Sequence, residues 1–380
     1  MLVSEAKHKM HPKLASALKF KEFRPSQSKS IDAGLLDRKN LLVCTPTASG
    51  KTLVAEMGAV NAILNKKGKA IYLVPLKSLA TEKYKEFKDK YEPLGIKIAI
   101  AIGDLDSNDK WLEKYDLIIA TAEKFDSLLR HEASWVKDVA TVIVDEIHLL
   151  NDVRRGPTLE IILTLLRQII PKMQLIGLSA TIGNPKEIAK WLDAQLVEDS
   201  WRPIKLYQGT FFDNSINFHG EKDSTKIISE LSDPTLQLAT DTLKQNKQAL
   251  IFCPTKAMAE STAMKISALL KLDENLRADG EKIIKSLQKP TKQCQKLYDI
   301  FIKGIAFHHA GLVAKQKTIV EQNFREGNIR IICCTPTLAM GLNLPADRTI
   351  MRSLKRFDGR GAAWIPVLEY HQMTGRAGRP

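Results

Sequence analysis

LLVC (41–44) is a short apolar run, TPTASGKT (45–52) follows it directly, and KTLVAEMGAVNAILN (51–65) then carries helical periodicity. A strand that enters a helix through a hydroxyl-rich loop restricts the chain to an α/β arrangement and builds an anion cradle. Such a loop aims several backbone N–H groups at one point, and the helix N-terminus adds partial positive charge. Gly50 lets the backbone approach a phosphate closely. Thr47, Ala48 and Ser49 line the loop, Lys51 is placed to reach β- and γ-phosphates, and the Thr52 hydroxyl to ligate Mg²⁺. Thr45 stands where such loops usually begin with glycine. From this motif alone, a loop that merely caps a helix stays open.

The same alternation continues along the chain. Strand candidates fall at 70–75, 96–103, 116–121, 141–146 and 174–181, with helical patterns between most of them. Strands alternating with helices predict a mostly parallel sheet covered on both faces. The pattern weakens over WRPIKLYQGTFFDNSINFHGEKDS (201–224), which has turn residues and no long periodic segment. The domain junction is therefore expected at about 200–225, dividing 1–200 from 201–380. Alternation resumes with strands at 248–254, 304–309, 329–335 and 347–353, and helices from Lys256 to about Leu270 and from about Val313 to Arg325. Residues 271–303 are Lys-rich and read as a helical insertion without an assigned role.

A chain of 380 residues suits two α/β domains, and 44% hydrophobic residues supports globular folding. No apolar run is long enough to cross a bilayer, and the N-terminus lacks a signal-peptide core. A cytoplasmic protein is expected, nucleoid-associated if archaeal. The 57 Lys and Arg against 43 Asp and Glu give a net charge of +14. That excess fits a polyanionic partner, or simply a basic surface. Of the five cysteines, Cys44, Cys253, Cys333 and Cys334 sit in or beside apolar strands, and none forms a CxxC pair with Cys294 or another. They read as reduced core thiols.

DEIH (145–148) closes the apolar run TVIV. Carboxylates at the carboxyl end of a central strand sit where α/β sheets bind ligands. Asp145 would hold Mg²⁺, and Glu146 would orient and deprotonate an attacking water.

TPTASGKT, DEIH and SAT (179–181), followed by CPTK (253–256), TPTLAMGLNLPA (335–346) and QMTGRAGRP (372–380), resemble motifs I to VI of superfamily 2 helicases. The set most resembles the archaeal Hjm-type (Ski-like) DNA repair helicases and covers nearly the whole chain. That resemblance implies two tandem RecA-like domains, each a mostly parallel sheet flanked by helices. It implies ATP and Mg²⁺ as cofactors and ATP hydrolysis coupled to 3′–5′ unwinding of DNA, in repair or at stalled forks.

The resemblance also implies residue roles. Gln27 in FRPSQ would read adenine, since an amide can pair bidentately with the N6 and N7 edge. Arg376 and Arg379, three apart and so expected on one helical face, resemble arginine fingers, with Gln372 positioning the water or phosphate. Such a finger is worth about 10³–10⁵ in rate in related enzymes. Gly341 and Asn343 would face ribose and phosphates from the second lobe, so that nucleotide bridges the two halves and drives stepping. His148, Ser179 and Thr181 would couple hydrolysis to strand binding; hydroxyls that merely end a buried strand are the plainer alternative.

Lys77, Thr121, Glu123 and Lys124 on the first lobe, and Thr255, Lys256 and Thr335 on the second, would contact the nucleic-acid backbone, fixing register without reading sequence. Asp358-Gly359 signals a hairpin within 352–366. In this family a hairpin here splits the duplex, and Phe357 and Trp364 would stack at the fork. A plain surface hairpin is the alternative.

Single-stranded or forked DNA is the expected partner of a monomer, with RNA the alternative because RNA-processing relatives share these motifs. A translocase that does not separate strands, and a binding module with a dead nucleotide site, are the other rivals. The family continues past motif VI into a winged helix and a ratchet domain. This sequence stops at Pro380, so the second lobe is expected to be cut short, which leaves open whether the chain unwinds or only hydrolyses ATP.

Overall fold

The computed structural model describes residues 1–103, 109–220, 222–336, 338, 344–357 and 361–378. The chain forms two compact units, Met1–Arg202 and Pro203–Pro380.

The first unit opens with short helices α1 (Val3–Ala6) and α2 (Pro12–Ala17), then α3 (Pro25–Asp32). Its strands are β1 (Leu41–Cys44), β2 (Lys69–Val74), β3 (Ile98–Ala101), β4 (Leu117–Thr121), β5 (Val139–Val144), β6 (Gln174–Ser179) and β7 (Gln195–Glu198). Between them run α4 (Lys51–Leu64), α5 (Lys77–Tyr91), α6 (Ala122–Arg130), α7 (Gly156–Ile169) and α8 (Pro185–Leu192). The strands form one sheet in the order β3-β4-β2-β5-β6-β1-β7, and every pairing is parallel. β1, β4, β5 and β6 are buried at every residue, as a sheet covered on both faces requires. One face packs Leu41, Val43, Val54, Tyr72 and Phe87, and the other packs Leu42, Leu73, Phe125, Val144 and Leu163. Reversal of strand order beside β1 and β5 places the ends of these strands at the position where such sheets hold ligands.

The second unit begins with β8 (Gly209–Phe212), β9 (Ser215–Phe218) and β10 (Thr225–Lys226), an antiparallel sheet inside the stretch expected to be a mere junction. Its signal was Asp213-Asn214, which both adopt positive φ, 47° and 54°, the geometry of a two-residue hairpin turn. β7 was also missed, because a four-residue edge strand leaves too short a pattern to read.

α9 (Pro234–Lys244), β11 (Ala249–Phe252), α10 (Lys256–Ser267), α11 (Arg277–Ile284), α12 (Lys292–Phe301), β12 (Ile305–His308), α13 (Ala314–Arg325), β13 (Ile331–Cys334) and β14 (Arg348–Met351) follow. Among the described residues these strands form a parallel sheet in the order β12-β13-β11-β14. α11 and α12 lie in the segment read as an insertion, yet Ile283, Leu297, Ile300 and Phe301 join the core of this unit. They are structural helices whose Lys-rich faces hid a buried stripe.

A hairpin of β15 (Lys355–Phe357) and β16 (Ala362–Trp364) and a helix α14 (Val367–Thr374) complete the described fold. The five cysteines are free and buried. Among the described residues no helix is long and apolar enough to cross a membrane.

Candidate functional site

The loop between β1 and α4 is held from outside. Thr45 N–H donates to Ser179 O at 3.3 Å, continuing the β1–β6 ladder by one residue. The Thr45 and Ser49 hydroxyls then meet at 2.7 Å. Thr45 therefore closes the loop with a side chain where glycine would be usual.

Ala48 and Gly50 adopt φ of 66° and 92°. Three side chains around the start of α3 clamp successive carbonyls of this loop. Arg24 Nη1 donates to Ala48 O at 2.8 Å, Ser26 Oγ to Ser49 O at 3.1 Å, and Gln27 Nε2 to Gly50 O at 3.2 Å. Gln27 Oε1 accepts from Arg24 N–H at 2.9 Å, so both ends of the amide expected to read adenine are engaged with the chain. Arg24 and Ser26 were not singled out by sequence reasoning, although they flank Gln27 in FRPSQ.

Lys51 begins α4, is 9% exposed, and its ammonium has no hydrogen-bond partner. An unpaired buried cation at a helix N-terminus calls for an anion.

At the end of β5, Asp145 N–H donates to Leu73 O at 2.9 Å, extending the β2–β5 pairing. Its carboxylate receives Tyr72 Oη–H at 3.0 Å on Oδ2 and Glu146 N–H at 3.0 Å on Oδ1. Burial, then the neighbouring charge of Glu146, pushes the Asp145 carboxyl up to about 6, against the pull of Lys51 and Lys83. Glu146 adopts φ of 53°, a left-handed conformation unusual away from glycine.

His148 Nε2 lies 3.3 Å from Glu146 Oε2. Its Nδ1 lies 3.3 Å from both Ala180 N and Ser179 Oγ. A backbone N–H can only donate, so Nδ1 carries the lone pair and Nε2–H points to Glu146. Burial holds this imidazole below its ordinary pKa, which preserves that neutral tautomer. Thr181 is exposed beyond the end of β6.

These groups fit a magnesium nucleotide. Among the described residues no cluster of three His, Cys, Asp or Glu side chains could hold a metal ion. Mg²⁺ in nucleotide sites needs only one or two carboxylates and a hydroxyl, because phosphates and water complete its shell. Asp145 and the partly buried Thr52 supply that minimum.

In the second unit, α14 ends at Thr374, and Arg376 lies in the turn beyond it. Arg376 therefore stands outside the helix on whose face it was expected. The turn is stabilised where Ala346 N–H donates to Arg376 O at 3.0 Å, which draws the backbone out of helix. Gln372 is buried on α14. Arg379, Gly341, Asn343 and the Asp358-Gly359 turn lie outside the described residues.

The strand-contact candidates divide by exposure. Lys77, at the start of α5, is exposed, as are Glu123, Thr255 and Lys256. Thr121 and Thr255 cap α6 and α10, accepting from Lys124 N–H at 3.4 Å and Met258 N–H at 3.2 Å. Lys124 departs from expectation. It is 2% exposed and its ammonium is paired with Asp109 at 2.8 Å, so it does not present a free charge to a phosphate. Thr335 is mostly buried, and its N–H donates to His308 O at 3.2 Å. Phe357 and Trp364 are 74% and 69% exposed. The register pairs Lys355 with Trp364 and Phe357 with Ala362, which puts both aromatics on one face of the hairpin.

Comparisons with known proteins agree with this geometry. Residues 24–188 match the DEAD/DEAH box helicase family, and 231–380 match the helicase conserved C-terminal domain. The protein from Methanococcus vannielii named ATP-dependent DNA helicase Hel308 is 46% identical over 97% of this chain and 50% of its own length. Its namesake in Pyrococcus abyssi is 48% identical over 94% of this chain and 49% of its own length. That in Caldivirga maquilingensis is 43% identical over 94% and 48%. The chain thus spans about half the length of the curated relatives it matches. With a phosphate loop, a DEIH strand end and a second α/β unit arranged in this order, the chain belongs to the archaeal Hel308-type group of superfamily 2 helicases.

Proposed function

We propose that this chain is the ATP-driven motor of a DNA helicase that moves 3′ to 5′ along single-stranded or forked DNA as a monomer. The observation that carries the reading is the unpaired ammonium of Lys51, buried at the head of α4 in the same unit as the Asp145–Glu146 strand end. Relatives named as ATP-dependent DNA helicases favour DNA over RNA as the strand.

In this reading residues 1–200 bind ATP and residues 201–380 form the second motor lobe. Loop N–H groups from Thr47 to Thr52 and the Lys51 ammonium neutralise the β- and γ-phosphates. Thr52 and Asp145 would hold Mg²⁺, which would supply charge neutralisation to a bound triphosphate. Glu146 takes the proton of the attacking water, and His148 Nε2–H keeps that carboxylate oriented. Gln372, Arg376 and Arg379 are the second unit's candidates for stabilising charge on a transferring phosphoryl group, and Gly341 and Asn343 its candidates for binding nucleotide. Lys77, the N-termini of α6 and α10, and Lys256 grip the strand backbone.

The test is ATP turnover alone, with single-stranded DNA, and with RNA of the same sequence, alongside displacement of a forked duplex. DNA stimulation with 3′–5′ displacement is expected. DNA stimulation without displacement reduces the chain to a translocase, greater stimulation by RNA changes the substrate, and no turnover with any strand overturns the motor.

A further inference from the structure

Tyr72 reaches a residue of the candidate nucleotide site through its hydroxyl from a neighbouring strand. It lies on β2, 1% exposed. Its ring meets Phe87 of α5 edge-on at 5.2 Å, and Phe87 meets Tyr91 at 5.9 Å. Packing there needs only a phenyl ring. A phenol brings in addition an O–H that must find an acceptor away from water.

That acceptor is Asp145 Oδ2 at 3.0 Å. The approach is set by backbone, because Leu73 pairs with Val144 across β2 and β5 and Leu73 O accepts from Asp145 N–H. The other carboxylate oxygen takes Glu146 N–H. Each oxygen thus has one fixed donor, and the two together hold the carboxylate plane against rotation. Without the phenol, only the Glu146 contact would remain to orient it.

We infer that Tyr72 is a positioning residue for the metal–nucleotide site, its buried hydroxyl fixing the Asp145 carboxylate in the orientation that receives a divalent cation with bound nucleotide. The inference rests on the nucleotide reading above. Its signature is selective. Losing the hydroxyl weakens the part of nucleotide affinity that depends on the cation and leaves the part that the Lys51 loop supplies.

The experiment titrates a fluorescent ADP analogue into the chain with Mg²⁺ and with EDTA, and follows Mn²⁺ occupancy by electron paramagnetic resonance with ADP present. Tyr72→Phe keeps the ring and its contact with Phe87. It should cut the Mg²⁺-dependent gain in affinity roughly tenfold, the usual scale for a partner that orients a metal ligand. Affinity in EDTA should be unchanged, and Mn²⁺ occupancy should fall in parallel. Phe87→Leu disturbs the ring contact but leaves the hydroxyl, and should keep the gain. A full Mg²⁺ gain in Tyr72→Phe overturns the inference alone. So does an equal loss with and without metal, or an equal loss of the gain in Phe87→Leu. An unsubstituted chain that binds the analogue no better in Mg²⁺ than in EDTA overturns the metal–nucleotide reading itself, and this inference with it.

Discussion

His148 Nδ1 lies 3.3 Å from the Ser179 hydroxyl, so the ring that holds Glu146 on one side is held on the other by the end of β6. A shift of Ser179 would thereby reach Glu146, the proposed water-activating group, through one imidazole. Ser179→Ala removes the hydroxyl but leaves the Ala180 N–H to fix the tautomer. Basal ATP turnover should persist within a few-fold while stimulation by single-stranded DNA drops by about tenfold, the scale of a 1–2 kcal/mol coupling. Equal stimulation in Ser179→Ala and the unsubstituted chain would sink this coupling route.

The Asp145 carboxyl, raised to about 6 by burial and by Glu146, makes a signed prediction for stability. A carboxyl whose folded pKa lies above its unfolded value near 3.8 favours the folded state most below the unfolded value. That contribution is lost as pH rises through about 6, leaving a buried charge that costs stability at neutral pH. Asp145→Asn should therefore stabilise the nucleotide-free first unit at pH 7.5, on the order of 2 kcal/mol, with the gain shrinking toward zero as pH falls to 4. Denaturant unfolding across that range measures it, and a gain that grows on acidification contradicts the assignment.

Lys51 carries the same logic in a cation. Its unpaired burial costs stability, and a bound phosphate would offset that cost. Lys51→Met should raise the melting temperature without nucleotide by roughly 2–4 °C, abolish the shift produced by added ATP, and abolish turnover while sparing DNA binding. Near-normal turnover would contradict the loop assignment.

The parts of the site visible in the sequence are those where chemistry forces a local pattern. Gly50 must turn left-handed before Lys51 can head a helix, and Asp145 must follow an apolar strand to sit at a sheet's end. What stayed hidden depends on partners distant in the chain. Lys124 looks like a surface lysine until Asp109 is found beside it. Tyr72 looks like ordinary core because Ala70, Ile71, Leu73 and Val74 around it on β2 are apolar, and only the register with β5 brings Asp145 to its hydroxyl. Arg376 looked helical because periodicity cannot show that its carbonyl accepts from Ala346 N–H, beside the bridge of Ala346 to Ala377. The buried stripe of α12 was masked by Lys292 and Lys296 on its outer face.

Gln27 links the helix cap of α3 to the loop at Gly50 through two hydrogen bonds, accepting from Arg24 N–H and donating to Gly50 O. Gln27→Ala should therefore destabilise the empty first unit by about 1 kcal/mol, the usual value of a lost cap, besides any effect on base preference. Gly50→Ala should do worse. Its φ of 92° is strained for any side chain, and an added Cβ would fall 2.4 Å from Gln27 Nε2. Thermal melts of the two variants, with turnover on ATP and GTP, separate these effects. A Gln27→Ala melt equal to the unsubstituted chain would remove the amide from the architecture of the loop.

Phe357 and Trp364 make the final prediction, because their exposure has no use in folding. Lys355 Nζ lies 4.7 Å from the centroid of the Trp364 ring, a contact that keeps one face of the indole occupied while leaving the residue 69% exposed. The adjacent Phe357 is 74% exposed on the same side of the hairpin. An exposed aromatic pair beside a lysine suits an unpaired base, since stacking is worth about 1–3 kcal/mol per base and is indifferent to sequence. The double substitution Phe357→Ala with Trp364→Ala should leave the melting temperature and DNA-stimulated ATPase close to those of the unsubstituted chain. It should lower the fluorescence rise of 2-aminopurine placed at the junction of a forked duplex, because the first base pair loses its stacking partner. An unchanged rise would mean the hairpin does not open the fork, and a collapse of ATPase together with the rise would mean that these side chains serve strand binding as a whole.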